Sequence, residues 1–192
     1  MKPTNILLIA ALLLATGTTA IAKPATNDIT PLTYDSSVSD ISPVKLTGTC
    51  TVNITNISDG RFSKESIGAE FPIESSPSEP WVGSGLERLK EYGFTVQRSA
   101  APTANAINLN VRLIRAYTWF GNMRINGMVA LDVDMNVPEQ PAMKFRSTGS
   151  KTNMWNAKSE HVTALNYAFN HTMHKLALAL QTQCSQSKLA TQ

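Results

Sequence analysis

Cysteine is nearly absent: Cys50 and Cys184 are the only two in 192 residues. Neither has a second Cys or a His within four positions, which argues against a metal knuckle. No cluster of basic residues occurs, and 17 Lys and Arg stand against 14 Asp and Glu, a formal charge of +3. Nucleic acid is therefore a poor fit as the main partner, because phosphate binding needs concentrated positive charge. No apolar run is long enough to span a bilayer. No Gly-x-Ser-x-Gly elbow or Walker loop is present. Gly83-Ser-Gly85 opens like a dinucleotide loop, but Arg88 stands where the third glycine is needed, and a Pro/Ser loop precedes it instead of a strand.

The N-terminus carries an address. Lys2 is followed by the apolar run Ile6–Leu14 and by Ala20-Ile21-Ala22, a small-x-small site. Residues 1–22 read as a secretory signal peptide cleaved after Ala22. Removing Lys2 leaves 17 − 1 = 16 basic and 14 acidic residues, net +2. Export to an oxidising compartment makes a Cys50–Cys184 disulfide the expected pairing.

Residues 23–43 are rich in Thr, Ser, Asp and Pro and read as a flexible leader, ahead of a single domain over 44–185 and a disordered tail over 186–192. Cys50, Val52 and Ile54 alternate with polar neighbours in a first strand over 44–56. Residues 57–79 form a long Gly/Pro/Ser loop, a length usually tied to function or mobility. Pro80 opens a short helix over 80–92, stopped by Gly93, with Phe94–Gln97 a short strand behind it.

Ile107, Leu109, Val111 and Leu113 then alternate, with Tyr117 and Trp119 continuing the same phase. The pattern resumes at Met123 and Ile125 and runs to Met135. This predicts a long hairpin with one buried face. If Trp119 faces Met123, Arg115 lies opposite Gly127, and Arg112 lies diagonal to Asp132. Residues 143–151 read as a further strand. Val162, Leu165, Phe169, Met173, Leu176 and Leu180 mark a helix over 157–184, about 40 Å long, which brings Cys184 near Cys50. The expected fold is α+β in the order β-α-β-β-β-α, a mainly antiparallel sheet with a short helix and a long C-terminal helix on one face.

Candidate chemistry is sparse. His171 and His174 lie three apart on the last helix, opposite its apolar stripe, without a third ligand in phase. His161 reads as a boundary residue, and Asp132 and Asp134 as surface acids near Arg112. Three Asn-x-Ser/Thr acceptors, at Asn53, Asn56 and Asn170, read as chance matches. No cofactor, metal or catalytic set is expected. Two surfaces stand out instead. Tyr117, Trp119, Phe120 and Met123 crowd the hairpin turn, and Tyr167, His171 and Leu178 form a half-apolar stripe on the outer face of the last helix. Both are candidate partner-binding surfaces.

Five stretches together resemble a family: Asn56-Ile-Ser-Asp-Gly-Arg61, Ile67-Gly68, Leu86–Val96, Ile107–Tyr117 and the C-terminal helix. They resemble the YajG-type bacterial envelope lipoproteins and, more distantly, the ABC-transport auxiliary lipoproteins and the N-terminal domain of TolB. The likeness spans about residues 44–184. It implies an envelope accessory protein, with no enzymatic residues to carry over. Those lipoproteins carry a cysteine at the cleavage site for acylation, whereas here Ala15–Lys23 holds none. The expectation is therefore a non-enzymatic module, periplasmic or secreted, without a stable membrane anchor. It docks on an envelope protein or forms a homo-oligomer. A small-ligand or cell-wall-fragment binder with residues 57–79 as its lid is the alternative.

Overall fold

In the computed structural model, residues 30–64, 67, 73–74, 77–135, 143–152 and 158–190 are described. The signal peptide read over 1–22 and the first part of the leader lie outside them. The elements are β1 (Thr30–Pro31), β2 (Thr51–Asp59), β3 (Ile73–Glu74), α1 (Glu79–Leu86), a 3-10 segment (Glu87–Tyr92), β4 (Thr95–Arg98), β5 (Ile107–Gly121), β6 (Arg124–Asp134), β7 (Met143–Thr152) and α2 (Lys158–Ala190). The main sheet has the order β4-β2-β5-β6-β7.

The fold is α+β, as expected, but the sheet is mixed. β2 pairs parallel with both β4 and β5, and only β5-β6-β7 is antiparallel. The short helix after β2 acts as a crossover, which returns β4 parallel to its predecessor. Two boundaries also move. β2 runs to Asp59, into the stretch read as loop. The α2 helix continues to Ala190, through most of the stretch read as a disordered tail.

The core forms as the alternation predicts along the first half of the hairpin. Leu109, Val111, Leu113, Leu131 and Val133 are fully buried beneath Leu165, Phe169, Met173, Leu176 and Leu180 of α2. Trp81 of α1 stacks on Phe169 at 4.5 Å and donates its indole N–H to Asn166. Each such side chain, taken fully out of water, stabilises the fold by about 1.5–3 kcal/mol.

The hairpin register differs from the sequence expectation. The strands are joined by a two-residue turn, Asn122-Met123, with φ of 53° and 56°. Trp119 pairs with Asn126, Arg115 with Ala130, and Arg112 directly with Asp132, whose side chains meet at 3.0 Å. A bulge between Leu113 and Arg115 shifts the phase by one residue. Beyond it Ala116 and Thr118 face inward, while Tyr117 and Trp119, expected on the buried face, turn outward.

The leader from residue 32 onward is pinned. Buried Asn166 and Asn170 donate to the carbonyls of Thr33, Asp35 and Val38, and Tyr34 donates to Asn170. Buried Arg88 donates to the carbonyls of Ser36 and Ile41. This stretch lies as a strap over the helix layer, which its polar composition does not announce. At the far end Cys50 and Cys184 are bonded, with Cα atoms 5.7 Å apart.

Candidate functional site

Among the described residues, β2 covers one end of β5 and leaves the other bare. β2 accompanies β5 only as far as Leu113, opposite Asp59. The chain then turns away at Asp59-Gly60-Arg61. Arg61 is buried and grips Asp59 at 2.9 Å and 2.5 Å. Burial alone would raise the Asp59 carboxyl, but the Arg61 guanidinium and backbone N–H outweigh it and hold it down at about 2. Further along this side of β5, the backbone N–H and the hydroxyl of Thr118 both meet the carbonyl of buried Ile67, at 2.7 Å and 3.4 Å. Residues 65–66, 68–72 and 75–76 of the loop expected as a lid lie outside the described residues.

Past the bulge, β5 therefore projects its aromatic residues at the bare end. Tyr117 and Trp119 are 37% and 36% exposed, Phe120 49% and Met123 63%. The Tyr117 and Trp119 rings lie 5.4 Å apart. Phe62, just after the Asp59–Arg61 turn, is fully exposed beside them and joins Arg61, Ile114 and Tyr117 around an open depression of about 290 Å³. Phe62 was missed in the sequence. Its one signal is that it is the lone aromatic among Ser and Lys.

Of the helix residues, the structure brings Tyr167 and His171 to this same end. With Trp119 they line a cleft of about 370 Å³, completed by Asp40 from the strap, Asn126 of β6 and Thr148–Ser150 of β7. Two glycines let α2 approach here. A Cβ on Gly127 would lie 2.5 Å from the Ala164 carbonyl oxygen, and one on Gly149 2.4 Å from the Tyr167 Cβ. His171 Nε2 bonds Asp40 and its Nδ1 meets the Thr148 carbonyl at 3.2 Å. The His171 contact holds the Asp40 carboxyl below its ordinary range. Both ring nitrogens face acceptors.

Leu178 is 42% exposed but sits two turns further along α2, outside the cleft. His174, expected on the solvent side, is half-buried against the Tyr92 ring at 5.8 Å. His161 is a core residue and not a boundary one: it is 2% exposed and its Nδ1 meets the Thr118 hydroxyl at 2.7 Å. Asn53 and Asn170 are fully buried, so neither can accept a glycan in the folded chain. Among the described residues no three His, Cys, Asp or Glu side chains are grouped to hold a metal ion. No described helix is long and apolar enough to cross a membrane.

No family model and no curated protein matches the chain. Solved structures do. Protein XCC0632 of Xanthomonas campestris, of family DUF330, superposes with a TM-score of 0.54 at 12% identity, over 83% of this chain and 98% of that one. A minor lipoprotein of Acinetobacter baumannii matches with a TM-score of 0.30 at 10% identity, over 70% and 92%. A PelC dodecamer from Paraburkholderia phytofirmans matches with a TM-score of 0.36 at 15% identity, over 69% and 92%. The chain shares the fold of the Xanthomonas protein.

Proposed function

We propose that this chain is an exported, non-enzymatic accessory module of the bacterial envelope that docks on a protein partner through the bare end of its hairpin. One observation carries the reading: Phe62, Tyr117, Trp119, Phe120 and Met123 are each exposed around one end of the hairpin, where the core needs none of them. Clustered exposed aromatics of this kind mark contact surfaces, and aromatic anchors dominate binding energy. The turn supports it as well. Met123 occupies a left-handed position that favours glycine, a local cost accepted at a site that uses the side chain. Export rests on the signal sequence read over 1–22 and fits the Cys50–Cys184 bond.

The lid reading has less support. Ile67, from the middle of that loop, is 1% exposed and packs in the core.

The test places a photo-crosslinking residue at Phe120 or Met123 and, as a control, at exposed Lys144 near the start of β7, away from the hairpin turn. In intact cells the hairpin positions should give a discrete adduct and Lys144 none. Phe62→Ser with Phe120→Ser should abolish the adduct while leaving the melting temperature unchanged. Adducts formed equally from all three positions would refute docking at this end. An adduct of twice the chain mass would make the partner a second copy.

A further inference from the structure

We propose that the cleft between the hairpin end and the first turns of α2 is a binding site for a neutral saccharide, with Trp119 and Tyr167 taking the apolar C–H face of a sugar ring. The lining carries the inference. At about 370 Å³ the cleft falls within the ~300–1,000 Å³ of small-molecule sites. Its carboxylate and imidazole side chains, Asp40 and His171, are bonded to each other, so neither stands unpartnered to meet a charged ligand. What remains are uncharged donors and acceptors from Asn126, Thr148 and Ser150, beside two aromatic side chains that are neither core nor fully solvated.

A phosphate or carboxylate ligand would find no Lys or Arg among the described residues of this lining. A purely apolar ligand would strand the amide and hydroxyl groups without partners. A ligand with many hydroxyls and one apolar face satisfies both sets, and a pyranose ring has that form.

An added peptide strand is the competing occupant, because β7 is the edge of the sheet. Here the edge is already in use. His171 meets the Thr148 carbonyl, and Lys175, one turn on, donates to the Arg146 carbonyl at 2.8 Å. A strand adding along β7 would have to displace both side chains. The cleft and the protein-docking surface share only Trp119, so either reading can fail without the other.

The test titrates the full mature chain by calorimetry with chitotetraose and maltotetraose and applies it to a neutral glycan array. An acidic oligogalacturonate and an uncharged extended peptide serve as competing arms. Saturable binding of a neutral oligosaccharide is expected. Trp119→Ala and Tyr167→Ala should each weaken it about tenfold, the loss of one aromatic contact. Asn126→Ala should weaken it too, while Phe120→Ser leaves it unchanged. Should Tyr167→Ala fail to fold, Tyr167→Phe keeps the ring and is expected to retain most of the affinity. Absence of binding to every neutral glycan at millimolar concentration would overturn the proposal. So would a preference for oligogalacturonate or the peptide, or unchanged affinity in the Trp119 and Asn126 variants.

Discussion

Replacing Gly127 by alanine tests a close backbone approach of α2 to the sheet. Thr118, Gly127 and Gly149 lie side by side on β5, β6 and β7, and α2 passes directly over this row. A Cβ on Gly127 would come within 2.5 Å of the Ala164 carbonyl oxygen and 2.6 Å of its carbon. Both are backbone atoms, so no rotamer change relieves the clash and the helix must lift. Overpacking of this kind costs about 1–3 kcal/mol. The smaller conformational freedom of alanine in the unfolded chain returns about 0.4–1 kcal/mol. A net loss of about 1 kcal/mol follows, lowering the melting temperature by about 2–4 °C for a domain of this size. Gly121→Ala is the control. Its nearest neighbour would be Trp119 Cδ1 at 4.0 Å, and stability should stay within about 0.5 kcal/mol. Urea unfolding of both variants decides the matter. A Gly127→Ala protein as stable as wild type would refute the close seating of α2, and with it the geometry of the cleft.

Unfolded, unreduced protein should contain no titratable thiol. Cys184→Ser should lose up to about 5 kcal/mol, the chain-entropy value for a 134-residue separation, seen as a lower urea midpoint. Met123→Gly should raise stability by about 1 kcal/mol by relieving the left-handed turn position, while weakening the crosslinked adduct. Asp59 is held at about 2 against an ordinary 3.8. Its contribution of at most about 2 kcal/mol is therefore complete above pH 3.8 and disappears as pH falls through about 2. Asp59→Asn should flatten stability against pH across that interval, and an unchanged acid limb would contradict the Asp59–Arg61 assignment.

Patterns with a fixed period were legible in the sequence, and those that depend on a single irregular residue were not. The α2 stripe from Val162 to Leu180 reads directly from its spacing, and the cysteine pairing follows from export and count. The hairpin phase fails at one residue. Leu113-Ile114 places two apolar residues in succession, and only the bulge there explains why Thr118, not Trp119, meets His161. The strap fails for a different reason. Its Ser and Asp residues argue for disorder taken alone, but its carbonyls are met by Arg88, Asn166 and Asn170, far away in sequence. A buried amide on an apolar helix stripe signals such a partner without naming it. Asp40 and His171 are 131 positions apart, so no local pattern could have joined them.

The two ends of the sheet are held in different ways. At one end the disulfide joins β2 to α2, Gln181 donates to the Thr47 carbonyl, and Leu46 donates to the Tyr92 carbonyl. These contacts close the layer of strap, 3-10 segment and helix around Leu176 and Leu180. At the other end β2 has departed, the bulge has reversed the phase of β5, and α2 is held against the sheet by two glycines in place of interlocking side chains. The bulge is the hinge of the arrangement. Without it Tyr117 and Trp119 would point into the core, as the unbroken alternation expects, and Thr118 could not reach His161. A single inserted residue thus removes two large aromatics from the hydrophobic interior. The compensation is small, since inward-facing Ala116 and Thr118 fill far less volume. Alternation this regular runs to Leu113 and resumes in the opposite phase beyond it, which leaves the aromatics of that end exposed.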